Sequence, residues 1–147
     1  MHVFELFDKH ASWEWVETPD YGDVDAHFMI GDTEIVVAFI EEPSRQEWWI
    51  EFGHPTKEGG LEKGITGTGN AFQIFSTVIE IIRAFVQKHN PKTIIFESHD
   101  SSRTKLYDRI IKELAKEWNV ETEDGPQGRI YILTRGSATP NENRTRA

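Results

Sequence analysis

The chain has 147 residues, enough for one domain with a sizeable core, and carries a net charge of −9. A hydrophobic fraction of 37%, with five Trp and nine Phe, excludes a disordered chain, and the lack of any apolar run of about eighteen residues excludes a membrane-spanning helix. With no cysteine, disulfides, thiolate nucleophiles and zinc sites of the Cys type are excluded too.

The charge is uneven. Residues 1–62 carry fifteen acids and three bases, and residues 63–147 carry ten acids and thirteen bases. An acidic half repels nucleic acid, so nucleic acid is not an expected partner, whereas the mildly basic half suits a phosphorylated ligand. Residues 1–10 read as a short helix or an edge segment. Their acids interrupt the apolar run Val3, Phe4, Leu6, Phe7 and no basic stretch precedes it, so this is not a signal peptide. A cytoplasmic protein with no membrane partner is the expectation.

The first strand is expected around Trp13 and Trp15, which alternate with polar neighbours. After the turn-rich stretch 18–23, Val24, Ala26, Phe28 and Ile30 alternate, Gly31-Asp32 turns, and Ile35, Val37 and Phe39 resume the alternation. A third strand, Glu47 to Phe52, follows the break at Pro43-Ser44 and completes an antiparallel meander. Its neighbouring indoles, Trp48 and Trp49, must face opposite sides of the sheet. Residues 55–63 read as a loop rich in Gly, Lys and Glu.

At Ala71 the period changes. Ala71, Ile74, Phe75, Val78, Ile82 and Phe85 mark one face of a helix running to His89, which Asn90-Pro91 ends. Thr93 to Ser98 is a near-continuous apolar strand of an interior position. Asp100, Ser101 or Ser102 can cap a second helix. Its buried face is expected to be Leu106, Ile110, Ile111, Leu114 and Trp118, with Tyr107 beside it. Gly125-Pro126 breaks the chain before a last strand, Arg129 to Thr134, and residues 136–147 read as a disordered tail. The expected fold is therefore α/β (α+β) in one domain, 1–135. An N-terminal antiparallel meander leads into β-α-β-α-β, with the helix at 71–89 crossing over between parallel strands.

The strand–glycine loop–helix junction is the main candidate site. Gly67 and Gly69 allow close backbone approach, and the N–H groups of Thr68, Gly69, Asn70 and Ala71 open a helix whose positive end attracts phosphate or pyrophosphate. Phe72 stands at the third glycine position of G-x-G-x-x-G, and no P-loop signature is present. The six His show no metal-ligand spacing, so no metal is expected. His99 with Asp100 reads as an acid/base pair or as a surface His beside a helix cap.

Gly67-Thr68-Gly69, the helix and strand that follow it, and Ser102-Arg103-Thr104-Lys105-Leu106-Tyr107-Asp108 resemble the GNAT acyltransferases, and residues 46–134 resemble small GNAT-like proteins of tailed bacteriophages. The resemblance implies that Gly67 to Ala71 hold the pyrophosphate of acetyl-CoA or another acyl-CoA. It also implies that Tyr107 protonates the leaving thiolate, and that a strand carboxylate, Glu51 ahead of Glu47, takes the proton of an amine acceptor on a small molecule or protein. Gly64 stands where the family carries Gln or Arg, with Lys63 adjacent, and the two helices the family usually places after its first strand are hard to find between Trp13 and Val24. Three readings follow: an N-acyltransferase, an inactive GNAT-like module that binds or inhibits a host or phage protein, and an acidic decoy that offers residues 1–62 to a nucleic-acid-binding protein.

Overall fold

In a computed structural model, residues 11–58, 61–62, 71–98, 101–126 and 128–135 are described, with the backbone alone at 45, 62, 71 and 101–106. The strands are β1 (Trp13–Trp15), β2 (Val24–Ile30), β3 (Thr33–Glu42), β4 (Glu47–Pro55), β5 (Leu61–Glu62), β6 (Thr93–Ser98), β7 (Trp118–Asp124) and β8 (Arg129–Arg135). The helices are α1 (Ala71–His89) and α2 (Ser101–Leu114). Seven strands form one sheet in the order β1-β2-β3-β4-β6-β8-β7, and β5 pairs with the end of β4.

The alternating residues of 24–42 fold as the expected hairpin, with Gly31 in the left-handed region its tight turn requires. β4 runs antiparallel to β3 and parallel to β6, and α1 makes the crossover between them. The meander followed by β-α-β-α-β is thus observed. Within the stretch expected to be loop, Leu61 and Glu62 form β5.

Both helices pack on one face of the sheet. Ile74, Val78, Ile81, Ile82 and Phe85 of α1 are buried, and the Phe85 ring stacks on Phe39 of β3 at 4.0 Å and meets Trp48 edge-on at 4.9 Å. Such contacts add about 0.5–1.5 kcal/mol each beyond the apolar burial. Asn90, at φ 50°, ends α1 and donates its N–H to the Val86 carbonyl, and Pro91 follows. Thr77, buried in mid-helix, accepts the Ala11 N–H at 2.8 Å and donates to the Gln73 carbonyl, fixing the chain ahead of β1 against α1.

The second helix departs from expectation. α2 ends at Leu114, and Trp118 opens β7 instead of continuing the helix. Trp118 falls four residues after Leu114, so helical spacing includes it, yet Trp118 and Val120 alternate with exposed Asn119 and Glu121 in the period of a strand. β7 pairs antiparallel with β8 along its whole length, and this hairpin gains more hydrogen bonds than one further helical turn. Tyr107, expected beside the buried face, lies wholly within it. The readings of residues 1–10 and 136–147 lie outside the described residues.

The β1–β2 connection turns on one carboxylate. Asp25 is buried and accepts the backbone N–H groups of Asp20, Tyr21 and Gly22 at 2.8–2.9 Å. Gly22 lies so close to β3 that a Cβ there would sit 2.7 Å from the Phe39 carbonyl oxygen.

Candidate functional site

The parallel ladder between β4 and β6 runs from Glu47↔Thr93 to Ile50↔Phe96 and stops, although both strands continue. Beyond that point Glu51, Phe52 and Gly53 keep their register with β3, and Glu97 and Ser98 keep theirs with β8. The sheet therefore divides at the carboxyl ends of its two parallel strands. α2 begins directly after β6, and α1 begins at the end of the connection that leaves β4, so both helices start at the divided end. In open α/β sheets this is where ligands gather, because loops diverge there and the positive helix ends converge.

Tyr107 of α2 sits at the root of the division. Its ring lies 5.4 Å from that of Phe52, the second β4 residue beyond the ladder, and 6.0 Å from that of Phe96, the last β6 residue within it. Its third ring neighbour is Tyr131 of β8 at 6.4 Å, and its side chain is fully buried. Tyr131 in turn donates its hydroxyl to the Asp108 carboxylate at 2.8 Å. Burial, and then the bond to Asp108, push the Tyr131 phenol above its ordinary range. The pair escapes sequence reading because its partners are twenty-three residues apart. The only local signal is the alternation of Tyr131 with Leu133 on the inner face of β8.

Glu51 projects to the opposite face. Strand alternation puts Trp48, Ile50 and Phe52 on the helix-bearing side, so Trp49 and Glu51 face away from it. Tyr107 and Glu51 thus flank the division from its two sides. Ala71 is the first residue of α1, while Gly67, Thr68, Gly69 and Asn70, like His99 and Asp100, lie outside the described residues. Among the described residues no grouping of His, Asp and Glu could hold a metal ion, and no helix is long and apolar enough to cross a membrane.

Two histidines are perturbed in opposite senses. His27 of β2 bridges Glu34 at 2.9 Å and Glu14 at 3.0 Å. Burial works against its charged form, but the two carboxylates together outweigh it and raise its pKa above 6.5. His89 stacks on Phe85 at 4.5 Å, and burial, with Lys88 beside it, lowers its pKa.

A mixed sheet with an antiparallel N-terminal half, followed by β-α-β-α-β and divided between its parallel strands, has the GNAT order of elements. The chain belongs to a family of unknown function, DUF6934, whose model matches residues 30–123, from the last residue of β2 to the penultimate one of β7. Glu51, residues 67–71 and Tyr107 all fall inside that span. No curated protein matches the sequence. Among solved structures, RimL, a ribosomal alpha-N-protein acetyltransferase in complex with coenzyme A, is similar at a TM-score of 0.45 and 6% identity. The similarity covers 76% of this chain and 60% of that one.

Proposed function

We propose that the protein is an N-acyltransferase using acetyl-CoA or another acyl-CoA, with an amine as acceptor. The observation that carries this reading is the division of the sheet between β4 and β6 with Tyr107 at its root. A thioester entering there meets Tyr107 on one side and Glu51 on the other. The amine nitrogen attacks the acyl carbon and the carbon–sulfur bond breaks. Glu51 takes the amine proton, directly or through water, and the Tyr107 hydroxyl protonates the thiolate. On this reading Gly67 to Ala71 offer their backbone N–H groups to the pyrophosphate.

The test is thermal. Acetyl-CoA or free CoA at about a hundred times its dissociation constant stabilises a fold by roughly 2.7 kcal/mol. Gly69→Val, with its own unliganded melt recorded, is expected to remove the shift by filling the phosphate space. If neither ligand moves the wild-type melt, the acyltransferase reading is wrong. The enclosure of Tyr107 by Phe52, Phe96 and Tyr131 favours a second reading, in which the tyrosine is core and the protein is an inactive interaction module.

A further inference from the structure

A pocket of about 340 Å³ lies at the end of the sheet away from the division. It opens on the helix side, between the C-terminal half of α1 and the turn that joins α2 to β7. Arg135, on its rim, donates its backbone N–H to the Lys92 carbonyl at the amino end of β6, whereas the strands part at the carboxyl end. The volume falls in the lower part of the range of small-ligand sites.

The lining has two layers. Val86, Leu114 and the Trp118 indole make an apolar floor, and the exposed Arg83, Glu117 and Arg135 stand around it. Arg135 is already held in place. Its guanidinium lies over the Trp118 ring at 5.3 Å, and one of its N–H groups goes to Asn90 Oδ1. Its other donors are left for a ligand, at little further cost in side-chain ordering. Arg83 is less committed still. The carboxylate near it, Glu113, gives both oxygens to Lys116 at 2.8 and 3.1 Å. Among the described residues no hydrogen bond or ion pair joins Arg83 to Glu113.

We propose that this pocket binds a small monocarboxylate with an apolar body, the carboxylate held by Arg83 and Arg135 and the body resting on Val86, Leu114 and Trp118. Paired guanidinium N–H groups match the two oxygens of a carboxylate, and the match is strongest where an apolar wall excludes water. Two arginines against Glu117 leave the lining with one net positive charge, which a monoanion balances. A dianionic phosphate monoester would bring a second negative charge against Glu117. The floor selects for an apolar body, because a ligand as short as acetate leaves it wet. The site stands apart from the acyltransferase reading, which concerns the other end of the sheet.

The test titrates the full chain with 3-phenylpropionate, its neutral amide, acetate and phenyl phosphate, followed by heteronuclear NMR. The phenylpropionate is expected to bind with a Kd of about 1 mM or tighter, and the amide and acetate at least about tenfold more weakly. Its shifts should centre on the Trp118 indole N–H and the amides of Arg83 and Arg135. Arg83→Gln, at an exposed position, is expected to weaken the acid about fivefold or more with the melt unchanged. Arg135→Gln, with its own melt recorded, provides a second check from another element. Equal binding of acid and amide, tighter binding of phenyl phosphate, or shifts centred on Tyr107 would each overturn the proposal. So would wild-type affinity in Arg83→Gln, or no saturable shift by about 20 mM.

Discussion

The Tyr107 ring lies 5.4 Å from the Phe52 ring, on the stretch of β4 that has just parted from β6. A residue of α2 therefore fills the angle between two strands that no longer pair. Tyr107→Ala, which empties that angle, is expected to cost about 3–5 kcal/mol. Tyr107→Phe keeps the ring and should leave stability within about 1 kcal/mol. On the proposed chemistry, the same substitution lowers turnover about a hundredfold or more. Equal turnover of Tyr107→Phe and wild type in an acyl-transfer assay would remove Tyr107 as the acid.

The two perturbed histidines should give stability opposite dependences on pH. His27 has a raised folded pKa, so its contribution is full below about 6.5 and disappears as pH rises through the higher folded value. Since Glu14 is largely exposed, that contribution is about 1 kcal/mol at most. His89 has a lowered folded pKa, so it destabilises as pH falls below about 6.5 toward that lower value. Denaturant melts at several pH values should therefore show His27→Gln destabilising in mild acid and neutral at high pH. His89→Phe should flatten the acid side of the wild-type profile; an unchanged acid limb would contradict the assignment.

Asp25 holds three backbone N–H groups that would otherwise lack an acceptor inside the turn. Asp25→Ala is expected to cost about 3 kcal/mol or more, given about 1–3 kcal/mol for each buried donor left unsatisfied and partial relaxation of the turn. Asp25→Asn should recover part of that loss, because its one carbonyl oxygen can still accept. Chemical denaturation of the two variants checks the order.

Gly22→Ala tests the same turn by sterics. The added methyl would meet the Phe39 carbonyl at 2.7 Å, and a backbone atom in the middle of a sheet cannot move aside. A loss of about 1–3 kcal/mol is expected. A variant as stable as wild type would mean that the turn sits further from β3 than the structure places it.

The elements with an unmixed period were legible in the sequence. The α1 helix and the β6 strand fall on the residues expected, because each has one repeat and a clear stop, Asn90-Pro91 between them. β7 was not legible, since Trp118 satisfies both a helical spacing from Leu114 and a strand alternation with Val120. Only the pairing partner, β8, decides between them. Asp25 escaped for a related reason. Alternation assigns it to the outer face, as the structure does, but says nothing of a turn that folds back over it. At the candidate site, Tyr107 and Glu51 could be named from a family pattern. That they flank the division from opposite faces follows from strand parity and sheet order together, and sheet order is a long-range property.

The four residue pairs between β4 and β6 also set how the chain must assemble. On one side of that seam, β1 to β4 are joined by short turns; on the other, β6, α2, β7 and β8 are again neighbours in sequence. Each half can collect its contacts locally, whereas the seam brings Glu47 to Thr93 and must wait for α1 to bridge them. Loop closure over that distance is the slow, entropically costly event of folding. Amides of the seam should therefore gain protection last during refolding, and the two half-sheets earlier. The same line along which the strands part is the line along which the chain is last to close.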